Sequence, residues 1–222
     1  MWDDIPLTNV GRNMPQAADG DGMTAQEAHM LRRLWGVWSS KYQDNALRLA
    51  YYHSHNRCKN LKLAFKSDQV ANAIAPMVGW PAKAVDMLAE RSRLDYFALP
   101  DGTHVPELRE AYEANDVSQL YRQAVTSALV QSCAAMTVTL GDQAMGDPPV
   151  VVNAYSALNC AMVWDRRRKR ISYGMTVTDT DKDGNPTGCN LFAPDETLVC
   201  SYRGGMWSTQ RLPHSMGRPL ME

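Results

Sequence analysis

The chain has 222 residues and a formal net charge of −1, so it carries no general electrostatic drive toward nucleic acid. Hydrophobic residues make up 45% of it, the share of an ordinary globular protein with a sizeable core, and no window approaches the roughly 18 consecutive apolar residues that a membrane span requires. The five cysteines, Cys58, Cys133, Cys160, Cys189 and Cys200, are odd in number, widely spaced and without a CxxC, which predicts reduced thiols in a cytosolic setting and no disulfide framework.

Residues 1–22 are rich in Asp, Gly, Asn and Pro and lack periodicity, which predicts a flexible arm ahead of one domain over 23–222. The opening MWDDIPLTN is acidic where a secretory leader is basic. Thr24-Ala-Gln-Glu27 is a capping box, and Leu31, Leu34, Trp35 and Trp38 follow at helical spacing. A first helix is therefore expected from Thr24, continuing or resuming through Lys41–Tyr52. The bland role for its tryptophans is packing. A second helical stretch is expected over Asp68–Met77 after a Ser67 cap.

The stretch Val78–Phe97 organises the front half. Pro81 suits the first position of a helix, where its missing N–H costs nothing. Val85, Leu88 and Ala89 recur on one face, with Lys83–Asp86 and Glu90–Arg93 as flanking i,i+3 pairs. This helix is expected to run into DYFAL as a short strand. ALPDGT over 98–103 reads as a turn, Pro106–Ala114 as a short charged helix, and Asn115-Asp116 as a break and cap. Val117–Cys133 reads as a long helix with Leu120, Ala124, Ala128 and Val130 or Gln131 tracing a face. From AAMTVTL (134–140) onward, and above all from Val150, short β-prone runs alternate with turn residues. The predicted fold class is α+β, a helical half (23–133) packed on an antiparallel β-rich half (134–222).

Three motifs bear on chemistry. His53, His55 and Cys58 form an H-x-H-x2-C cluster, but His104 and His214 are distant and nothing completes four ligands. Asp179, Asp181, Asp183 and Gly184 match the first half of a calcium loop, yet Asn190 stands where a bidentate Glu belongs, so a hairpin turn is the expected role. Arg166, Arg167, Arg168, Lys169 and Arg170 are the one strong basic run; they suit phosphate contacts and equally suit a solvated hairpin tip between strands. The aromatic interleaving of a nucleic-acid platform is absent. P-loop, nucleophile-elbow, H-E-x-x-H and dinucleotide-binding signatures are missing, so no enzyme activity, cofactor or metal is expected.

An ordered set of motifs resembles the portal proteins of tailed phages, of the SPP1-like type. The set comprises Tyr51-Tyr52, Val78-Gly79-Trp80-Pro81, Ala84-Val85-Asp86, Arg91, Phe97 and Asn115 ahead of the long helix. It continues with VVVNAYSALNCAMVWD, carrying Trp164-Asp165 before the basic hairpin, and LPHSMGRP, carrying His214, Gly217, Arg218 and Pro219. Two departures stand out. Gln131-Ser132 occupy the place where the family usually has a Gly, and the chain stops at Glu222, before the family's stem, clip, channel loop and crown. The resemblance thus implies a portal wing, in a truncated or partial form.

The resemblance further implies a structural subunit of a closed ring, usually of twelve copies, through which viral DNA is packaged and ejected. Its partners would be copies of itself, a terminase ATPase, capsid or scaffold and head-completion proteins, and double-stranded DNA in transit. Its place would be the virion, and the host cytoplasm during assembly. The 222-residue chain alone is expected to form rings weakly or not at all, for want of stem helices. The alternatives are a small nucleic-acid-binding module using Arg166–Arg170 and a metal-dependent hydrolase.

Overall fold

The computed structural model describes residues 22–53, 79–142, 144 and 146–222. The expected helix over Asp68–Met77, His55 and Cys58, and the arm apart from residue 22 lie outside these. Among the described residues the order is α1 (Ala25–Tyr52), α2 (Trp80–Ala89), α3 (Pro106–Ala114), α4 (Val117–Gln131), β1 (Ala134–Leu140), β2 (Val150–Ser156), β3 (Cys160–Asp165), β4 (Arg170–Thr180), β5 (Pro186–Phe192), β6 (Glu196–Arg203) and β7 (Met206–Pro213). The fold is α+β.

The first helix starts where the capping box puts it. Glu27 N–H donates to Thr24 Oγ1 at 3.3 Å, and Thr24 N–H donates to Glu27 Oε2 at 2.7 Å. Two of the four donors that a helix N-terminus leaves open are thereby satisfied. Twenty-eight residues at 1.5 Å each make α1 about 42 Å long. Its buried face, Ala28, Leu31, Leu34, Trp35 and Trp38, lies across one face of a five-stranded antiparallel meander of order β3-β4-β5-β6-β7. Leu31 and Leu34 are fully buried there against Met175, Leu191 and Leu198. Trp38 stacks edge-on with Trp35 and Tyr42, and its indole N–H donates to the Leu158 carbonyl at 2.7 Å. The helix is thus tied to the β2–β3 turn.

The opposite sheet face is covered as well. Cys160, Ile171 and Phe192 pack there against Ala135 and Tyr155 of the β1–β2 ribbon and against Leu220 and Met221. This double burial explains why β5 is buried along nearly its whole length rather than at alternate residues. It also explains Gly174 in mid-strand: a Cβ there would stand 2.2 Å from Met221 Sδ. An irregularity in β4 between Tyr173 and Ile171 turns Ile171 toward the ribbon while Tyr173 and Met175 face α1.

Both outer edges of the ribbon are engaged. The C-terminal residues pair with β1 through Met136 N–H to Glu222 O, Glu222 N–H to Met136 O and Val138 N–H to Leu220 O. On the β2 side, Asn115 acts like one residue of a missing strand. Its Nδ2 donates to Val150 O at 2.8 Å, and its Oδ1 accepts from Val152 N–H at 2.9 Å. Asn115 therefore serves β2 and does not cap α4. Asp116 adopts the left-handed region, φ 46°, and makes no side-chain cap bond.

Three local expectations are corrected. DYFAL is not a strand: among the described residues it pairs with no other strand, and Leu99 N–H donates to Thr103 O at 3.0 Å across the turn that follows. Instead the Tyr112 hydroxyl donates to Leu94 O, Phe97 stacks edge-on against Tyr112 and Tyr96 meets His104. In α2, Val85 and Ala89 turn inward but Leu88 is exposed. The Asp86 and Glu90 carboxylates take tertiary partners: Tyr52 Oη donates to Asp86 at 2.7 Å, and Arg122 pairs with Glu90 at 3.0 Å, while Arg93 Nε donates to the Glu90 backbone carbonyl at 3.3 Å.

The long helix ends at Gln131, not Cys133, because Ser132 reverses the chain at φ 71°. That is the left-handed conformation for which glycine is the unstrained residue. Ser132→Gly should raise stability by about 0.5 kcal/mol, the strain relieved exceeding the extra unfolded-state entropy, seen as a higher urea midpoint at constant m-value. Leu34→Ala should lower stability by about 3 kcal/mol through the cavity it leaves between α1 and the sheet, measured the same way.

Candidate functional site

Arg166–Arg170 form the β3–β4 hairpin tip. Asp165 Oδ1 accepts from the Arg167 and Arg168 N–H groups at 2.9 and 3.1 Å. These bonds, with the charges of Arg168 and Arg170, hold the Asp165 carboxyl below its ordinary value. Lys169 closes the turn at φ 51°. Arg166, Arg167, Arg168 and Lys169 are exposed and Arg170 is half-buried, so the run is a solvated tip, with the half-exposed Trp164 beside it.

The acidic loop is likewise a hairpin turn, joining β4 to β5. Asp181 Oδ1 accepts from the Asp183 and Asn185 N–H groups at 2.9 and 2.8 Å, and Gly184 takes φ 79°. The Asn185 side chain and these backbone donors pull the Asp181 carboxyl down. Its oxygens are thus occupied by the turn itself. His53 ends α1 and stacks edge-on with Tyr52. Among the described residues no group of three or more His, Cys, Asp or Glu is placed to hold a metal ion.

A groove of about 750 Å³ lies between the end of α1, α2 and α4, lined among others by Tyr52, Asp86, Asp116, Arg122, Ser127 and Gln131. Several of its polar groups are engaged with one another or with a neighbour. Tyr52 donates to Asp86, and burial, that bond and the Asp86 charge push the phenol up to about 12. Arg122 pairs with Glu90, and Ser127 Oγ donates to Gln131 Oε1 at 3.1 Å. A phenol held neutral at pH 7 is a hydrogen-bond donor there and not a base.

The surface beyond this groove is of a different kind. Trp80, Ala84 and Leu88 stand at i, i+4 and i+8 along the outward side of α2, with Met87 beside them. Trp80 is 77% exposed. The segment after α2 adds exposed Tyr96, Phe97 and Leu99, and α3 adds Leu108. Large apolar side chains left exposed, where they adjoin, mark an interaction surface. The sequence pattern places Trp80 and Leu88 correctly on α2 but aims Leu88 inward, because periodicity alone does not say which side of a short helix meets the protein.

A polar junction that the sequence did not reveal joins the ends of the chain. The Arg211 guanidinium of β7 grips Glu27 at both carboxylate oxygens, at 3.0 and 2.7 Å, and reaches Glu196 at 2.8 Å and the Gly22 carbonyl at 2.7 Å. Burial pushes the Glu27 carboxyl up, but the Arg211 and Thr24 hydrogen bonds outweigh it and leave it below the ordinary 4.5. The local signal was the capping box; its partner lies 184 residues away. No protein-family model matches the chain, and no curated protein is significantly similar to it.

A carboxyl whose folded pKa is depressed contributes stability that is complete above its unfolded pKa, near 4.5, and lost as pH falls through the folded value. Glu27→Gln should therefore flatten the loss of stability below pH 4.5, and cost about 1 kcal/mol at pH 7 through weakened charge-assisted bonds. Urea unfolding of both proteins between pH 3 and 7 checks both signs.

Proposed function

We propose that the chain is a structural subunit of a viral portal, its wing region, which packs beside copies of itself in a ring that conducts DNA. The observation that carries this reading is the exposure, among the described residues, of the apolar and aromatic side chains of Trp80, Met87, Leu88, Tyr96 and Phe97. This rim falls on the motifs that resemble the portal family, Val78-Gly79-Trp80-Pro81 and Phe97. The packing of the helical half onto the sheet through α1 and Trp38 further supports a rigid wedge over a hinged, cleft-bearing enzyme. A ring of identical subunits uses heterologous contacts, so this rim should meet a different face of its neighbour.

A second reading rests on the basic tip. Arg166, Arg167, Arg168 and Lys169 project into solvent beside Trp164, which suits a small phosphate-contacting module. On the portal reading the same cations only line a path along which DNA slides.

A photo-crosslinking amino acid in place of Trp80 separates the readings. Head-to-tail packing should give a ladder of dimers, trimers and higher species, each crosslinked to a surface other than the α2 rim, and Leu88→Glu should thin the ladder. A monomer at all concentrations, or a dimer crosslinked rim to rim, would sink the ring assignment. DNA affinity that falls steeply with salt and vanishes on neutralising Arg166, Arg167 and Arg168 would support the second reading.

A further inference from the structure

Four of the cysteines lie among the described residues, and they fall into two pairs. The first pair is made by the reversal at Ser132. That residue sets Cys133 at the solvent edge just before β1, whose first residue, Ala134, pairs with Ser156. A tight turn, Asn159 N–H to Ser156 O at 2.8 Å, then delivers Cys160 to the start of β3. The Cys133 and Cys160 side chains thus come together at the start of β1 and β3, beside Ala135. Cys160 is buried beside Ala135, and its Sγ lies 3.8 Å from the Tyr155 carbonyl. The second pair, Cys189 and Cys200, lies directly opposite in the β5–β6 register, sealed beneath α1.

We propose that Cys133 and Cys160 are a redox-active dithiol, a site of disulfide formation by exchange with a small-molecule disulfide such as oxidised glutathione. One member is exposed and can be reached; the other is buried, adjacent, and can resolve. The Cys160 thiol hydrogen-bonds the Cys133 sulfur. That bond prevails over the cost of burial and, with the Arg48 guanidinium of α1, brings the Cys133 thiol down to about 7. The same contact, burial and the thiolate charge push Cys160 up. Cys133 is thus the nucleophile at neutral pH and Cys160 the proton-bearing partner.

The exchange balances in two steps. The Cys133 thiolate attacks one sulfur of the small disulfide, forming a mixed disulfide and releasing one thiolate, which takes up a proton. With the negative charge at Cys133 gone, one cause of the raised Cys160 value is removed. The Cys160 thiol then passes its proton to solvent and attacks Cys133 Sγ, releasing the second thiol. Two protein thiols are oxidised to one disulfide, and one small disulfide is reduced to two thiols. The bond would staple the α4–β1 junction to the five-stranded sheet. Cys189 and Cys200 are buried against this chemistry, so the selectivity is built into the fold.

The test uses the whole folded chain. Iodoacetamide should label Cys133 about tenfold or more faster than Cys189 and Cys200, and Cys160→Ala should move the pH midpoint of Cys133 labelling upward. Oxidised glutathione should yield a product lighter by two hydrogens whose peptide map joins Cys133 to Cys160. Cys58→Ser should leave that product intact and Cys133→Ser should abolish it. A glutathione adduct that persists on Cys133 without the crosslink would overturn the proposal, as would a crosslink confined to Cys189–Cys200 or a Cys133 midpoint indifferent to Cys160→Ala.

Discussion

The seating of α1 on the five-stranded sheet is the constraint from which the remaining architecture follows. Leu31, Leu34, Trp35 and Trp38 fill one face of the meander, and each fully buried side chain of this size contributes about 1.5–3 kcal/mol from area alone. A small sheet with one face so covered still exposes the other. Here the β1–β2 ribbon and the C-terminal Leu220–Met221 close it. The central strands are therefore desolvated on both sides, which is why Cys189, Leu191, Phe192 and Leu198 all lie within the core.

Closing the second face creates a problem of edges. A two-stranded ribbon presents unpaired N–H and C=O groups along both outer sides. The chain meets this with backbone on one side, where Leu220 and Glu222 pair with β1, and with one amide side chain on the other, where Asn115 pairs with β2. Asn is suited to the second task because its amide carries the same donor and acceptor as a peptide group. The Arg211 junction acts similarly at the N-terminus of α1, tying the capping carboxylate of Glu27 to β7 and, through Glu196, to β6. The ends of the chain thus take part in the core's construction.

With most of the sheet and ribbon enclosed, α2, the segment after it and α3 still turn Trp80, Met87, Leu88, Tyr96, Phe97 and Leu108 outward. Exposure of Trp80, Tyr96 and Phe97 on a protein that buries its strands this thoroughly fits a surface made for contact. In the groove beside α4, Tyr52 is held by Asp86 and Arg122 by Glu90. The exposed apolar surface is what motivates the ring-subunit proposal.

Local signals carried far where the chemistry was local. The capping box, Pro81 at a helix start, Asp183-Gly184 at a turn and the alternating runs after Val150 all specify backbone conformation through neighbours a few residues away, and α+β architecture follows from their order. Side-chain partnership was illegible, because it depends on which surfaces meet. Asn115 reads as a helix cap and serves a strand; Glu27 reads as a cap and is also held by Arg211; Leu88 reads as core and is solvent-exposed; DYFAL has strand propensity and, among the described residues, no partner strand. Cys133 and Cys160, 27 positions apart by number, become neighbours only because Ser132 reverses the chain and β2 returns it. What the sequence determined by itself was the succession of helices and strands, since capping, turn and periodicity energies act within a few residues. Only the tertiary structure decided which thiols, edges and apolar faces are paired and which are left open, since those depend on contacts between segments that no local pattern encodes.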